Sequence, residues 1–300
     1  MTNAKSISKM PHHGRDRERK TTMALFSAPA FLLYSLFFIV PIISGIYYSM
    51  TDWNGITRHF NMVGIQNYLD IFQDDRFRSA LWFTLKYSVL LVIFTLVIGL
   101  MIAALLKNKV RGQSFFRAAY FFPAVLSMIT VGLIFNQIFL RALPSVGQAL
   151  GIPALSFNIL ANSQTAMWGV LFVNLWQGLA IPTILLLTGL LTVPEDLYEA
   201  AMIDGAGKWQ RFLKITVPFL VPTINVVLVL TLKSGIMVFD YIVSMTDGGP
   251  GGATESIAKL IYAHAFSENK FAYSIAESII AGLIICIISA VQIKFSNREE

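Results

Sequence analysis

Six stretches of the sequence are long, continuous and apolar, and shorter polar segments separate them. A helix that crosses a bilayer needs about 20 largely apolar residues, and each stretch is long enough. Membrane β-strands instead alternate apolar and polar positions, so these continuous runs predict helices. The fold class is therefore predicted to be all-α, a polytopic membrane protein with six transmembrane helices. The predicted spans are Ala24–Met50, Ser79–Leu106, Phe115–Leu140, Thr165–Leu190, Val217–Phe239 and Tyr273–Lys294.

Charged residues are sparse and unevenly distributed. They make up 13% of the 300 residues, whereas soluble domains carry about 25%. Most of the 23 Lys and Arg residues lie before the first span, after the sixth, or in the second and fourth connecting segments. By the positive-inside rule, the basic tail at residues 1–23 and both termini are expected in the cytoplasm. The net charge of +6 could suggest a nucleic-acid partner. Basic segments in these places instead suit the lipid surface of the membrane, so no nucleic-acid partner is predicted.

The fourth connecting segment, residues 192–218, predicts a helix, a break and a second helix. Thr192 and Glu195 have the spacing of a capping box, which marks the start of a helix. Gly205 and Gly207 then predict an interruption, because glycine adopts positive φ angles at little cost. This segment is expected on the cytoplasmic side of the membrane.

Small residues beside a carboxylate suggest that the first of these two helices is a docking surface. Ala200 and Ala201 would let another surface approach closely, and Glu199 could pair with a partner's Arg or Lys. A plain interfacial helix that joins two spans is the alternative. The residues alone leave both interpretations open.

A longer pattern in this segment resembles the EAA motif of the permeases of binding-protein-dependent ABC importers. In that family the motif forms a coupling helix, which sits in a groove of a separate ATPase subunit. The resemblance implies that Glu199, Ala200, Ala201, Asp204 and Gly205 contact the ATPase. The matching residues are Glu199-Ala200-Ala201, Asp204-Gly205-Ala206, Phe212, Ile215, Pro218 and Pro222.

A second pattern resembles the maltose-type sugar permeases, in the first of their two subunit types. With the EAA match, this resemblance covers about residues 75–295, the predicted permease core. It implies the fold of a type I ABC importer permease in a bacterial cytoplasmic membrane. The matching residues are Phe239-Asp240-Tyr241, Met245-Thr246-Asp247-Gly248-Gly249-Pro250 and Ala253-Thr254.

The family resemblance also implies a set of partners. These are a second, homologous permease subunit, two ATPase subunits and an extracytoplasmic sugar-binding protein, with a carbohydrate as the substrate. An ion-coupled secondary carrier is the alternative function. A carrier would need a carboxylate in the middle of the membrane, and Glu277, the nearest candidate, is expected at the interface.

The sequence carries no recognisable catalytic or nucleotide-binding motif. Gly207-Lys208 resembles the end of a phosphate-binding loop, but Met202 stands where its first glycine belongs and Trp209 replaces its hydroxyl residue. Cys286 is the only cysteine, and His264 is expected to be isolated. The chain is therefore predicted not to be an enzyme and to bind no metal or cofactor, with ATP and magnesium held by the ATPase subunits.

Polar residues inside the predicted spans are the candidates for the substrate path, because such residues are costly in a bilayer. Amide and hydroxyl groups beside an aromatic ring suit a sugar. Interhelical hydrogen bonding is the alternative role, and the sequence leaves it open. A helix through Phe239 would put two of the candidates, Lys233 and Asp240, two turns apart on one face. The candidates are Asn174, Trp176, Gln177, Gly178, Lys233, Ser234 and Asp240.

Overall fold

The protein is almost entirely helical. The computed structural model describes residues 13–107, 118 and 120–296, so the predicted tail at residues 1–12, the basic loop at 108–117 and Arg298 lie outside it. Within the described ranges the only β-pairing is an isolated bridge between Thr51 and Met62. Five helices there are long and apolar enough to cross a bilayer, and one bent pair gives a sixth crossing. This confirms the predicted all-α membrane fold.

The spans are numbered in chain order and keep those numbers below. They are the first span Thr22–Tyr48, the second Asp75–Lys107, the third Met128–Ala149, the fourth Ala166–Gly178 with Ala180–Leu191, the fifth Lys208–Ile236, and the sixth Phe271–Ala290. The helix of the first span begins at His13, and the helix of the sixth continues to Ser296. The shorter elements between them are the helices Gln66–Gln73, Glu195–Ile203, Asp240–Met245 and Ile257–Tyr262, the π-helical turn Ala263–Ser267, and the 3-10 turns Phe122–Val125, Pro153–Leu155 and Ile159–Ala161.

The second span is the central helix of the bundle, because it contributes to all three clusters of buried apolar side chains. Phe77 packs in a cluster at its beginning, Tyr87 in the middle cluster, and Ala103 in the cluster at its other end. It lies against the fifth span so closely that a Cβ atom on Gly235 would be 2.7 Å from the Cα atom of Ser88. Small residues commonly allow membrane helices this close an approach.

The first span stands apart from this bundle. No residue of the apolar window that identifies it as a span is buried within the single chain. Near its end it approaches the sixth span, where a Cβ atom on Gly45 would lie 3.6 Å from Ile275. Its apolar surface is therefore available to lipid or to another chain.

The third span differs from its prediction. A 3-10 turn at Phe122–Val125, which contains Pro123, precedes the span, and helix resumes only at Met128. At the other end the helix runs to Ala149, so the predicted span Phe115–Leu140 starts and ends too early. A π-helical turn leads into Pro144, which is thus accommodated within the helix and does not end it.

The fourth span is bent where a continuous helix was predicted. Its halves meet at Leu179 with an angle of 54°. Pro182 has no backbone N–H, so the carbonyl group of Gly178 loses the helical hydrogen bond that it would otherwise accept. This bend exposes Gly178 beside the fifth span.

Candidate functional site

The helix Glu195–Ile203, called the coupling helix below, joins the fourth and fifth spans. Pro194 precedes it in an extended conformation. The predicted capping box is wrong, because the Thr192 hydroxyl donates back to the Gly189 carbonyl, at 2.8 Å, and does not cap the helix. Gly205 ends the helix with a φ angle of 78°, as its position in the predicted break requires.

One face of the coupling helix is held by two neighbouring spans. The Tyr198 hydroxyl lies 2.7 Å from the hydroxyl of Thr216, which is buried near the start of the fifth span. The Lys107 ammonium, at the end of the second span, lies over the Tyr198 ring, 5.0 Å from its centre. Ala201, one turn further along, is half-buried on the same face.

The opposite face of the coupling helix is open. Four of the five predicted ATPase contacts, Glu199, Ala200, Asp204 and Gly205, are exposed, and Ala201 borders them. Ile203 is apolar yet 87% exposed. None of the ion pairs found among the described residues involves the segment 192–218. The structure therefore groups these five residues on a surface whose charges this chain leaves available.

A second candidate site is a cavity of about 180 Å³ between the second, fourth and fifth spans. It is smaller than a typical ligand pocket of about 300–1,000 Å³, so a second surface would be needed to enclose a ligand. Three of the predicted path residues, Asn174, Gly178 and Ser234, line it. The other lining residues are Leu91, Thr95, Ile181, Pro182, Leu230 and Thr231.

The buried amides of the fourth span are bonded to other parts of the chain. Asn174 donates from Nδ2 to the Tyr87 hydroxyl at 2.9 Å. Gln177 donates from Nε2 to the Leu126 carbonyl at 2.8 Å and accepts from the Tyr241 hydroxyl at 2.8 Å. Gln177 thus satisfies a carbonyl at the break before the third span and has the role of an interhelical hydrogen-bonding group, whereas Asn174 also faces the cavity.

The remaining path candidates lie elsewhere. Trp176 does not line the cavity, and its ring centre lies 5.3 Å from that of Phe135. Lys233 is exposed, and neither it nor Asp240 lines the cavity. The predicted common helix face of Lys233 and Asp240 is wrong, because the fifth span ends at Ile236 and Asp240 begins a separate helix.

Sequence reasoning missed two threonines and two tyrosines of this site. Thr95 and Thr231 line the cavity, and Tyr87 and Tyr241 hold the two amides. A threonine in a span is a weak signal, because its hydroxyl can bond to its own helix backbone. Tyr241 lies in the pattern Phe239-Asp240-Tyr241, but its pairing with Gln177, like that of Tyr87 with Asn174, could not be found without knowledge of which helices are neighbours.

The other end of the second span carries a network of paired charges. Arg76 contacts both carboxylate oxygens of Glu255, at 2.7 and 2.8 Å, and one oxygen of Glu268, at 2.5 Å. Lys270 donates to the other oxygen of Glu268 at 2.9 Å. These hydrogen bonds, Lys270 first, lower the pKa of Glu268 to about 2. Glu268 therefore stays ionised at neutral pH.

One prediction about this end is wrong. His264 was expected to be isolated, but it is buried, and its Nδ1 lies 2.9 Å from Oε2 of Glu277. Glu277 lies near the beginning of the sixth span, as expected of a residue close to the interface, and it is completely buried by the surrounding protein. The turn Ala263–Ser267 folds against the sixth span, and this long-range packing has no local sequence signal.

The two candidate sites are connected by continuous helix. Within the second span, Lys107 and Thr95 are separated by a helical rise of about 18 Å. Within the fifth span, Thr216 and Thr231 are separated by a rise of about 22 Å. Both spans therefore touch the coupling helix at one point and line the cavity at another. A displacement of the coupling helix can reach the cavity along either of them.

Comparison with known proteins agrees with this arrangement. Residues 87–298 match the family model described as the inner membrane component of binding-protein-dependent transport systems. The match spans most of the chain. The chain belongs to this family. Its fold class, an ABC importer permease with several membrane-crossing helices, is thereby confirmed, as is a location within a membrane.

Members of this family with similar sequences cover nearly the whole chain. The multiple sugar-binding transport system permease protein MsmF of Streptococcus mutans is 44% identical over 90% of this chain and 93% of its own length. The probable starch degradation products transport system permease protein AmyD of Thermoanaerobacterium thermosulfurigenes is 34% identical over 92% and 94%. Both relatives carry names of transport permeases.

Two solved structures share the fold. A chain of a bacterial ABC transporter involved in the import of the acidic polysaccharide alginate matches with a TM-score of 0.79 and 21% identity, over 96% of this chain and 99% of that one. The same kind of transporter, in complex with a periplasmic protein bound to an alginate pentasaccharide, matches with a TM-score of 0.75 and 22% identity, over 96% of both chains. At this identity the likeness concerns the fold alone.

Proposed function

We propose that this chain is a permease subunit of a carbohydrate importer, driven by separate ATPase subunits that dock on the coupling helix. The observation that carries the proposal is the coupling helix itself. One of its faces is tethered through Tyr198 to two spans that line the cavity, and the opposite face is exposed and forms no ion pair within the described part of the chain. The sugar-related names of the relatives support a carbohydrate substrate.

The cavity supports a pairing of two permeases. About 180 Å³ is too little to enclose an oligosaccharide, and Gly178 and Ser234 are exposed at its edge. A second, homologous permease subunit facing this edge would complete the path. Asn174, Thr95 and Thr231 would then offer hydrogen bonds to sugar hydroxyls.

The remaining partners follow from this assignment. An extracytoplasmic binding protein would deliver the sugar, and two ATPase subunits would hold ATP and magnesium, so this chain would hold no nucleotide and would have no enzymatic activity of its own. Both termini and the coupling helix would lie in the cytoplasm. ATP binding can drive the cavity open only if the ATPase dimer has different affinities for the two permease conformations.

An ion-coupled carrier is the rival function. Its required carboxylate would be Glu277, which is buried against His264 beside the network of paired charges. Glu277 does not line the cavity between the second, fourth and fifth spans. The arrangement therefore favours the importer.

The test is uptake by proteoliposomes that contain the reconstituted complex, measured across a panel of sugars. We expect uptake to require ATP inside the vesicles and to be lost in Glu199→Lys and Gly205→Asp. Asp70→Lys, which reverses an exposed charge on the helix Gln66–Gln73, is the control and should leave ATPase docking and uptake intact. Uptake that survives ATP depletion and collapses with the proton gradient would instead establish the carrier.

A further inference from the structure

Three side chains with metal-binding atoms converge beside the network of paired charges. They are Asp74, His264 and Glu277, whose ligand atoms all lie within 4.8 Å of one another. They come from three separate segments: the turn before the second span, the π-helical turn Ala263–Ser267, and the sixth span. The fold therefore creates this group, which no local motif encodes.

The hydrogen bonds within the group leave one acceptor unused. Glu277 is completely buried, and its Oε2 lies 2.9 Å from His264 Nδ1. Its other oxygen, Oε1, is buried without a hydrogen-bond partner among the described residues. A buried polar atom without a partner is costly, so Glu277 Oε1 indicates that a ligand completes the group.

Asp74 is also oriented by its neighbours. Its Oδ1 accepts from the backbone N–H of Arg76 at 2.8 Å, and its Oδ2 accepts from the Tyr273 hydroxyl at 3.2 Å. Each carboxylate oxygen has a second lone pair, so both can still bind a cation. Tyr273 also packs its ring edge-on against His264, at 5.3 Å between centres.

The charges around the group favour a cation. The group and its neighbours include four carboxylates and two permanently positive side chains. His264 adds no charge, because histidine is neutral when it is a metal ligand. Two negative charges therefore remain, which a divalent cation would balance. The carboxylates are Asp74, Glu255, Glu268 and Glu277, and the positive side chains are Arg76 and Lys270.

The group is accessible from one side. Asp74 and Tyr273 form part of the wall of a cavity of about 400 Å³, which is also lined by Asp52, Asn67 and Lys270. Of the three side chains only Asp74 lines this cavity, so an ion would approach the group from the Asp74 side. The cavity also provides room for a water molecule as an additional ligand.

We propose that Asp74, His264 and Glu277 bind a first-row divalent cation, of which zinc and manganese are the representatives to test. One imidazole with two carboxylates suits such ions, and three protein ligands leave a position for water from the cavity. If Nδ1 of His264 is the ligand atom, Glu268 Oε2 lies on the side of the other ring nitrogen, Nε2, at 3.7 Å. The bound ion would hold three segments of the chain together.

Metal content and thermal unfolding test the proposal on the complete purified complex, without nucleotide and without a polyhistidine tag. The background carries His12→Ala and His13→Ala, since these tail residues could bind metal adventitiously. After chelation, the complex is incubated with zinc or manganese, desalted and measured by mass spectrometry. We expect about one ion per chain at this site and a higher unfolding temperature.

Substitutions locate the site. Asp74→Asn and Glu277→Gln should each abolish the retained ion and the temperature increase, whereas His59→Ala, which removes an exposed histidine, should preserve both. Asp74 is half-exposed, so Asp74→Asn is expected to fold even if Glu277→Gln does not. Equal ion retention by Asp74→Asn and the parent complex, or no retention by the parent, would overturn the proposal and leave a hydrogen-bonded His264–Glu277 pair.

Discussion

The two ends of the second span differ in whether the charged residues near them form ion pairs. At its beginning lies the paired end, where Arg76, Glu255, Glu268 and Lys270 neutralise one another within the chain. At its other end lies the coupling helix, whose charges form no ion pair among the described residues. Charge at the paired end therefore stabilises this chain, whereas charge on the coupling helix is available to another protein.

The largest effect on stability is expected from Arg76→Leu. This change leaves Glu255, which is only 7% exposed, without its bidentate partner. We expect the free energy of unfolding to fall by about 2–3 kcal/mol, measured by thermal unfolding in detergent. Arg76→Lys keeps the charge but loses the bidentate geometry, so the free energy of unfolding should fall by about half as much in this variant. Unchanged stability in Arg76→Leu would show that the ion pairs at this end do not stabilise the chain.

A smaller, local effect is expected from Gly205→Ala at the end of the coupling helix. The positive φ angle of Gly205 strains any residue with a Cβ atom, at a cost of about 1–2 kcal/mol. Gly205→Asn is the matched control, because asparagine tolerates this conformation. No described atom lies within 4 Å of the position of a Cβ here, so an ATPase-binding defect in Gly205→Asn would reflect contact with the partner.

The tether of the coupling helix is tested by Tyr198→Phe. This change removes the hydrogen bond to Thr216 but keeps the ring under Lys107, so it should cost about 1 kcal/mol. Thr216→Val should have a similar effect, and the double variant should cost no more than either alone. The expected readout is a lower ratio of sugar transported to ATP hydrolysed, with ATPase binding retained. Additive costs would show that the two hydroxyls act independently.

Acid should weaken the paired end. The pKa of Glu268 is about 2 in the folded protein, below its ordinary value of 4.5. Its contribution to stability is therefore fully present above about pH 4.5 and is lost as the pH falls towards 2. Unfolding temperatures measured between pH 6 and pH 3 should fall less steeply in Glu268→Gln than in the parent. Identical pH profiles would contradict this role.

The smallest effect on stability is expected from Glu199→Lys. An exposed side chain without a partner should change the free energy of unfolding by less than about 0.5 kcal/mol. The same change should nevertheless abolish co-purification of the ATPase subunits. A large loss of stability in Glu199→Lys would show that this carboxylate serves the chain itself.

Local patterns in the sequence were sufficient for the spans and the coupling helix. Long apolar runs identified the membrane helices, and Gly205 marked the turn that ends the coupling helix. The bend at Leu179 and the late start of the third span had proline signals, at Pro182 and Pro123. Such signals are ambiguous, because proline also occurs within membrane helices that continue past it, as Pro222 does here.

Long-range pairings were beyond local reasoning. Arg76 and Glu255 are 179 residues apart, and Gln177 and Tyr241 are 64 apart. Whether Gln177 faces a substrate or another helix depends on which spans are neighbours. The same limit explains why His264 was expected to be isolated, although Glu277 lies only 13 residues away across a turn.

Site-specific photo-cross-linking in the assembled complex shows directly whether the coupling helix is the surface that contacts the ATPase. A photoreactive residue is placed at Ala200, on the open face of the coupling helix, or at Asp70, beyond the opposite end of the second span. We predict that Ala200 cross-links to an ATPase subunit and that Asp70 does not. No ATPase product from Ala200, or equal yields from the two positions, would contradict the account.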